Sequence, residues 1–373
     1  MTHILDLLRN GSAFVVVLGI LVFVHELGHY LAARWRGVHV EAFSIGFGPA
    51  LFSWRDKLGT VWKLSLLPLG GYVKLHGQER PEDVSKDVSD AWLPGRTFHA
   101  KSVGSRAIVV AAGPIANFLL AGFLFAGLFL AIGRPVTTGV NEPTFGHVEP
   151  GSAADNAGLK VGDKVLTIDG QPIEKFEDIR KIVSVNPGKH LALRIQRGAE
   201  TRDVDVLVGT VAGKAVPSGV LGVRNGTMEY QKVGPVDAVL AGFKQTWDVT
   251  AATFGGLTQM LSGKGNTEEL SGPLGIAQLS GQVAQLGIAS LVSFIAVLSV
   301  NLGLINLFPI PVLDGGHLLF YFFEAVRRRP LPARFQEYGF RAGFALLAGL
   351  FVFATWNDLT HMGVFRWVSG LFG

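Results

Sequence analysis

Four long apolar runs divide this chain, and polar residues interrupt them at few places. Ser12 to Ala33 is almost wholly apolar, and Ser105 to Ile132 is a second such run. A third begins at Ile288, and a fourth covers about Tyr338 to Thr355. Each is near the length that spans a bilayer as a helix, the first reaching roughly 33 Å at 1.5 Å per residue. Between them the period changes. Phe43 to Trp54 and Thr60 to Leu75 are rich in β-formers with Gly and Pro breaks, which predicts short strands dipping toward the membrane. Their backbone must then be shielded by protein or line a polar cavity. Gly46 and Gly48 leave room for another backbone, although a hairpin that only anchors the chain fits the same pattern. Arg134 to Gly222 alternates like a soluble β-rich insert, with strands at Lys164–Ile168, Leu191–Gln196 and Val204–Val208, a tight turn at Asp169-Gly170 and a helix from Phe176 to Val185. Ser152 caps a further short helix, with Asp155 at its third position. Val236 to Ser262 is amphipathic, with Phe243, Trp247 and Phe254 among small residues, and suits the outer membrane surface.

Composition agrees with a membrane protein. Of 373 residues, 49% are hydrophobic and only 17% charged, against about 25% charged in soluble proteins; mean hydropathy is +0.37. The net charge of +4 is spread near the ends of the apolar runs rather than gathered in a stripe, which excludes nucleic acid as a partner. With no Cys, disulfides and thiolate ligands are excluded. The first run lacks a basic leader and continues into the metal motif described below, so it is not read as a cleaved signal peptide. Arg34, Arg36 and the basic residues through Arg106 form one cytoplasmic segment, and Arg327, Arg328, Arg329 and Arg334 a second. Both termini and the insert are then outside. The expected layout is a polytopic α-helical membrane protein of about four transmembrane helices, with a membrane-associated β-hairpin region and one β-rich insert. Its segments are 1–35, a first helix after a polar lead from Met1 to Asn10; 36–103, the re-entrant β region, with a polar stretch from Glu79 to Arg96; 104–133, a second helix; 134–222, the insert; 223–287, an outer amphipathic helix and connecting loop; 288–326, a third, broken helix; 327–337, a basic loop; 338–362, a fourth helix; and 363–373, a tail whose Phe365, Trp367 and Phe372 suit the interface.

The candidate chemistry sits in the first run, at Val24-His25-Glu26-Leu27-Gly28-His29. Four residues apart on a helix, His25 and His29 leave one face and can share a Zn²⁺. Glu26 lies next to them, able to hold and deprotonate a metal-bound water. A polar packing cluster or a proton relay is the alternative for such groups inside a membrane. The third run carries Asn301 and Asn306, breaks at Pro309 and Pro311, and leads into Asp314, 285 residues beyond His29. A broken membrane helix commonly lines a site. Asp314 can supply an oxygen ligand, and His317, one turn on, is its rival. In the second run Gly113-Pro114 permits a kink or tight packing, and Asn117 is read as a helix-packing residue in preference to a neighbour of the metal.

The insert, with Gly158-Leu-Lys-Val-Gly-Asp-Lys-Val-Leu-Thr-Ile-Asp-Gly170, resembles a PDZ domain of the bacterial protease type. As a whole the chain resembles the site-2 protease family of intramembrane metalloproteases, and within it the bacterial regulator-of-sigma-E protease group. The likeness rests on His25-Glu26-Leu-Gly-His29, Gly46-Phe47-Gly48, Pro68-Leu-Gly-Gly-Tyr-Val, Gly113-Pro-Ile-Ala-Asn117, Leu270-Ser-Gly-Pro, and Asn301 through Leu313-Asp314-Gly315. It implies zinc held by His25, His29 and Asp314, with Glu26 as general base. It implies that Gly46, Phe47 and Gly48 belong to a re-entrant loop that pairs with substrate, and that Asn301 and Asn306 line the substrate site. The implied substrates are single-pass membrane proteins, such as anti-sigma factors already trimmed by an upstream protease, and remnant signal peptides, cut within the inner membrane. One departure is that this chain has room for a single PDZ-like domain where tandem pairs are common. The rival from another class is a receptor or ion-coupled transporter whose insert binds peptides.

Overall fold

The computed structural model describes residues 2–78, 84–90, 92–138, 142–211, 218–262 and 272–361. The expected interfacial tail, Leu270 and Ser271 of the Leu270-Ser-Gly-Pro motif, and part of the polar stretch from Glu79 to Arg96 lie outside them. The chain divides into two compact units, residues 1–128 with 234–373, and residues 129–233.

In the first unit, α1 (Thr2–Trp35) is helical through most of the segment expected to be a polar lead. After it come strands β1 (Val40–Arg55) and β2 (Val61–Leu75), the short helix α2 (Lys86–Asp90) and helix α3 (Val103–Ile132), whose last residues lie in the second unit. Strands β1 and β2 each bend, so the antiparallel pair forms a sheet of four short segments. Residues 40–45 pair with 71–75 on one side and with 61–64 on the other, and 61–64 pair also with 52–55. The bends fall where φ is positive, at Gly46, Gly48 and Gly70. Phe43 stacks on Trp62 at 4.4 Å and packs with Tyr30, Val38, Val40, Leu75, Phe98 and Val109 in one core. The other end of the sheet exposes Leu51, Phe52, Leu64, Leu66 and Leu67. At its base Lys74 and His76 both bond Glu41, at 2.7 and 2.8 Å. Burial pushes that carboxyl up, and these two hydrogen bonds outweigh it, holding it below the ordinary range.

Close helix approach is set by glycine. A side chain at Gly28 would collide with the Ala112 carbonyl and come within 2.8 Å of Ala116 Cβ, so α1 and α3 meet backbone to backbone. The remaining helices of this unit, numbered after the insert's α4 and α5, are α6 (Pro235–Leu261), α7 (Pro273–Gln285), α8 (Ile288–Asn306), α9 (Asp314–Arg327) and α10 (Ala333–His361). The expected connecting loop before Ile288 therefore holds a helix, α7, which packs along α1 and seats Gly281 against Asn10. Its first turn is closed by Asp358 of α10, which accepts from Gly272 N and Gly275 N at 2.8 and 2.9 Å. Helix α6 exposes Val236, Leu240, Trp247 and Phe254 along one face. Among the described residues, four segments are long and apolar enough to cross a membrane: Arg9–Trp35, Val103–Ile132, Ile288–Asn306 and Ala333–Thr360. The fourth begins five residues before the expected 338.

The second unit folds around its own core of Phe145, Val165, Ile168, Ile179, Leu193 and Ile195. Its elements are β3 (Arg134–Thr138), β4 (Phe145–Val148), α4 (Ala153–Asn156), β5 (Lys164–Ile168), β6 (Gln171–Pro172), α5 (Phe176–Ser184), β7 (His190–Arg197), β8 (Glu200–Leu207), β9 (Gly209–Val211), β10 (Ser218–Val220), β11 (Val223–Asn225) and β12 (Thr227–Gln231). The main sheet runs β6-β5-β7-β8. Ser152 caps α4 by accepting from Asp155 N at 3.3 Å. The unit extends past the expected boundary at 222, because β11 pairs with β4, and β12 with β3. Short strands that complete a ladder with a distant partner carry little local pattern of their own.

Candidate metal centre and active site

Helix α1 sends both imidazoles to one side, with ring centroids 4.8 Å apart and the Nε2 atoms 3.2 Å apart. Asp314, the first residue of α9, completes the group. Its Oδ2 lies 3.2 Å from His25 Nε2 and 3.4 Å from His29 Nε2. Tetrahedral zinc, with bonds of about 2.0–2.2 Å to nitrogen and oxygen, separates its ligand atoms by about 3.3 Å. Among the described residues this is the one group of three or more such side chains that could hold a metal. Asp314 Oδ2 is buried without a hydrogen-bond partner, an orphaned acceptor of the kind a cation satisfies. The residues fit zinc.

The outer ring nitrogens are also held. His29 Nδ1–H donates to the Val109 carbonyl at 2.9 Å, which leaves Nε2 a bare lone pair. The Asn117 amide lies 3.1 Å from His25 Nδ1, with Asn117 Oδ1 buried and unpartnered. Exchanging the amide oxygen and nitrogen lets Oδ1 accept from Nδ1–H, and His25 Nε2 is then free for a metal. So Asn117 touches an imidazole of the candidate metal group while also lying buried between helices, as the packing reading expected. One turn before Asn117, a side chain at Gly113 would overlap His29 Nε2 and come within 2.9 Å of His25 Cε1. This glycine makes room for the two imidazoles.

Asp314 is placed by the break. Between Leu307 and Leu313 the chain proceeds by single turns, and Val312 has φ +106, a strained value for a β-branched residue. Side chains at Gly315 and Gly316 would collide with the Leu307 and Ile310 carbonyls, so only glycine lets the break fold over the start of α9.

A cavity of about 610 Å³ opens on this group. Glu26 and Asn306 line it beside the ligands, as do Gly71, Tyr72 and Val73. A side chain at Gly71 would lie 3.0 Å from Glu26 Cγ and 2.7 Å from the Ser44 carbonyl, so strand β2 passes directly over the Glu26 side chain. His317 lines the cavity too, but its ring packs on Phe340 at 5.3 Å and it is not in the ligand group. Gly46, Phe47 and Gly48 form the bend of the sheet and do not line the cavity, although the Phe47 ring faces Tyr72 at 6.3 Å. Nor does Asn301 line it: its Oδ1 accepts from Thr253 on α6 at 3.0 Å. The sheet edge nearest the metal group is thus Gly71–Val73, within the sequence Pro68-Leu-Gly-Gly-Tyr-Val, rather than the Gly46–Gly48 stretch.

Comparison with known proteins supports this chemistry. Residues 13–350 match the model of peptidase family M50. A protein of Rhizobium meliloti strain 1021, whose name includes the words zinc metalloprotease, is 44% identical over 97% of this chain and 100% of its own length. The regulator of sigma-E protease RseP of Escherichia coli K12 is 33% identical, covering 96% of this chain and 100% of its own. A PDZ domain of an SdrC-like protein from Listeria innocua aligns over 24% of this chain and 100% of its own, with 15% identity and a TM-score of 0.21, too low to carry an argument.

Proposed function

The chain belongs to peptidase family M50 and is a zinc metalloprotease, and from that premise we propose that it cuts the transmembrane segments of single-pass membrane proteins. The observation that carries this reading is where the ligands sit. His25 and His29 lie within a helix long and apolar enough to cross a membrane, and Asp314 reaches them from a broken one. Catalytic groups so placed suit a substrate that is itself in the membrane.

Zinc, when bound, supplies the Lewis acidity that polarises water and the scissile carbonyl. Glu26 takes the proton from the attacking water and returns it to the leaving amide nitrogen. Asn306, on the cavity wall, donates its amide N–H to the developing oxyanion or to the extended substrate backbone. A helical substrate hides its peptide bonds in its own hydrogen bonds and must unwind. Residues 71–73 offer a strand edge over Glu26 with which the unwound segment pairs. The exposed Leu51, Phe52, Leu64, Leu66 and Leu67 dip into lipid and hold the sheet at that depth.

The enzyme is read as multi-pass in the inner membrane of a bacterium, with its active site toward the cytoplasm and the 129–233 unit outside. The unit is read as PDZ-like, and its role is to decide which substrates enter. RseP's name speaks of regulating sigma-E. By analogy the substrates are anti-sigma factors trimmed beforehand by another protease, along with remnant signal peptides. Purified enzyme in detergent or liposomes, offered trimmed and untrimmed single-pass substrates, tests this. Cleavage within the spanning segment supports the reading, and cleavage confined to soluble substrates overturns it.

A further inference from the structure

The cavity has a second polar end that takes no part in the chemistry above. There Arg106 of α3 grips Glu324 of α9 with two hydrogen bonds, Nη2 to Oε1 at 2.7 Å and Nη1 to Oε2 at 3.2 Å. Both side chains are about six-sevenths buried, at 14% and 13% exposed. The guanidinium also donates to the Lys101 carbonyl through Nε at 3.2 Å and lies 4.9 Å over the Tyr321 ring.

This pair joins α9, which carries Asp314, to α3, whose Val109 carbonyl and Gly113 stand against the imidazoles of α1. On α3, Arg106 precedes Gly113 by seven residues, two helical turns on the same face. On α9, Asp314, His317, Tyr321 and Glu324 form one stripe, and all four line the cavity. Asp314 and Glu324 stand at the two ends of it, about 15 Å apart. Helix α9 follows α8 through the irregular break at Leu307–Leu313, which packs on its first turn at Gly315 and Gly316 and does not reach the Glu324 end. Its aromatic contacts, His317 at 5.3 Å and Phe320 at 5.8 Å from Phe340, tolerate sliding. A two-point guanidinium–carboxylate grip does not. We propose that Arg106 and Glu324 are positioning residues that fix α9 along its axis and so hold the Asp314 carboxylate against His25 and His29. The inference rests on the zinc reading given above.

The test measures metal binding apart from catalysis. Glu324→Gln removes the charge and keeps the shape. The double variant Arg106→Met with Glu324→Leu replaces the pair by apolar groups, an exchange that buried ion pairs often tolerate. Zinc affinity is read by chelator competition, ligand geometry by the visible spectrum of the Co²⁺-substituted protein, and folding by helical content and thermal melting. Altered partners behind metal ligands typically cost about 10- to 100-fold in affinity, so both variants should lose about tenfold or more while folded. Their Co²⁺ spectra should change, and kcat should fall with KM little altered. If Glu324→Gln does not fold, the apolar double variant decides. Folded variants that bind zinc within about twofold of the parent, whatever their melting temperature, overturn the positioning role and mark the pair as a structural staple. A parent protein that takes up no zinc would instead overturn the metal reading.

Discussion

The three residues that the structure gathers into a candidate metal group were legible because their chemistry is local. The four-residue spacing of His25 and His29 specifies one helix face, and Asp314 stands directly after a proline break. The groups that hold them were not legible. Asn117 is an ordinary polar interruption until α3 meets α1, and Gly113 is one glycine among 48 until two imidazoles are found where its side chain would be. Glu26→Gln should keep zinc bound and cut cleavage by about 10²- to 10⁴-fold, the usual worth of a general base; metal analysis beside a cleavage assay checks it. Asp314→Ala should lower zinc occupancy and His317→Ala should not, since His317 stands outside the ligand group. Gly113→Ala should displace the imidazoles and also lose zinc. Normal zinc content in that variant would contradict the account of the close approach.

At the scale of elements, periodicity predicted the long helices and the main strands of the insert, because each buries a face or a stripe with its own repeat. It missed α7, whose small-residue sequence Pro273–Gln285 looks like a break and becomes a helix by packing on α1. The family resemblance pointed to Gly46–Gly48 as the substrate edge; in the structure these glycines serve the bend, and the segment that lines the cavity is Gly71–Val73, whose place depends on a register between strands that no single segment encodes. Gly71→Ala should push β2 away from α1, because the added carbon has Ser44 O, Val22 Cγ1 and Glu26 Cγ within 3.0 Å. Cleavage should fall about tenfold or more, an overpacking loss of the usual 1–3 kcal/mol felt at the base, while zinc content holds. Equal loss of zinc would mean that the strand supports the ligands as well.

At the scale of the whole chain, the apolar runs matched the four helices among the described residues that are able to cross a membrane, since length and hydropathy alone decide that. Orientation rests on the Lys/Arg asymmetry. The parent has no Cys, so single thiols are clean probes. Glu200→Cys, whose parent side chain is 70% exposed, should react with an impermeant reagent in cells with a permeabilised outer membrane, and Ser85→Cys should not. The reverse pattern inverts the topology. Replacing residues 136–231 by a short flexible linker should spare zinc content and cleavage of a trimmed substrate. Cutting of an untrimmed substrate should rise if the insert is a size filter; cutting of both should fall if it is a docking site. Zinc loss in a folded, inserted variant would make the insert part of the catalytic structure.

The most direct test of the central claim is the position of the cut. A purified single-pass substrate is incubated with the enzyme in liposomes, and the products are mapped by mass spectrometry, with chelator and Glu26→Gln as controls. The account requires a zinc-dependent scission inside the membrane-spanning segment that Glu26→Gln abolishes. Cleavage only outside that segment, or cleavage that persists in the Glu26→Gln protein, would contradict it.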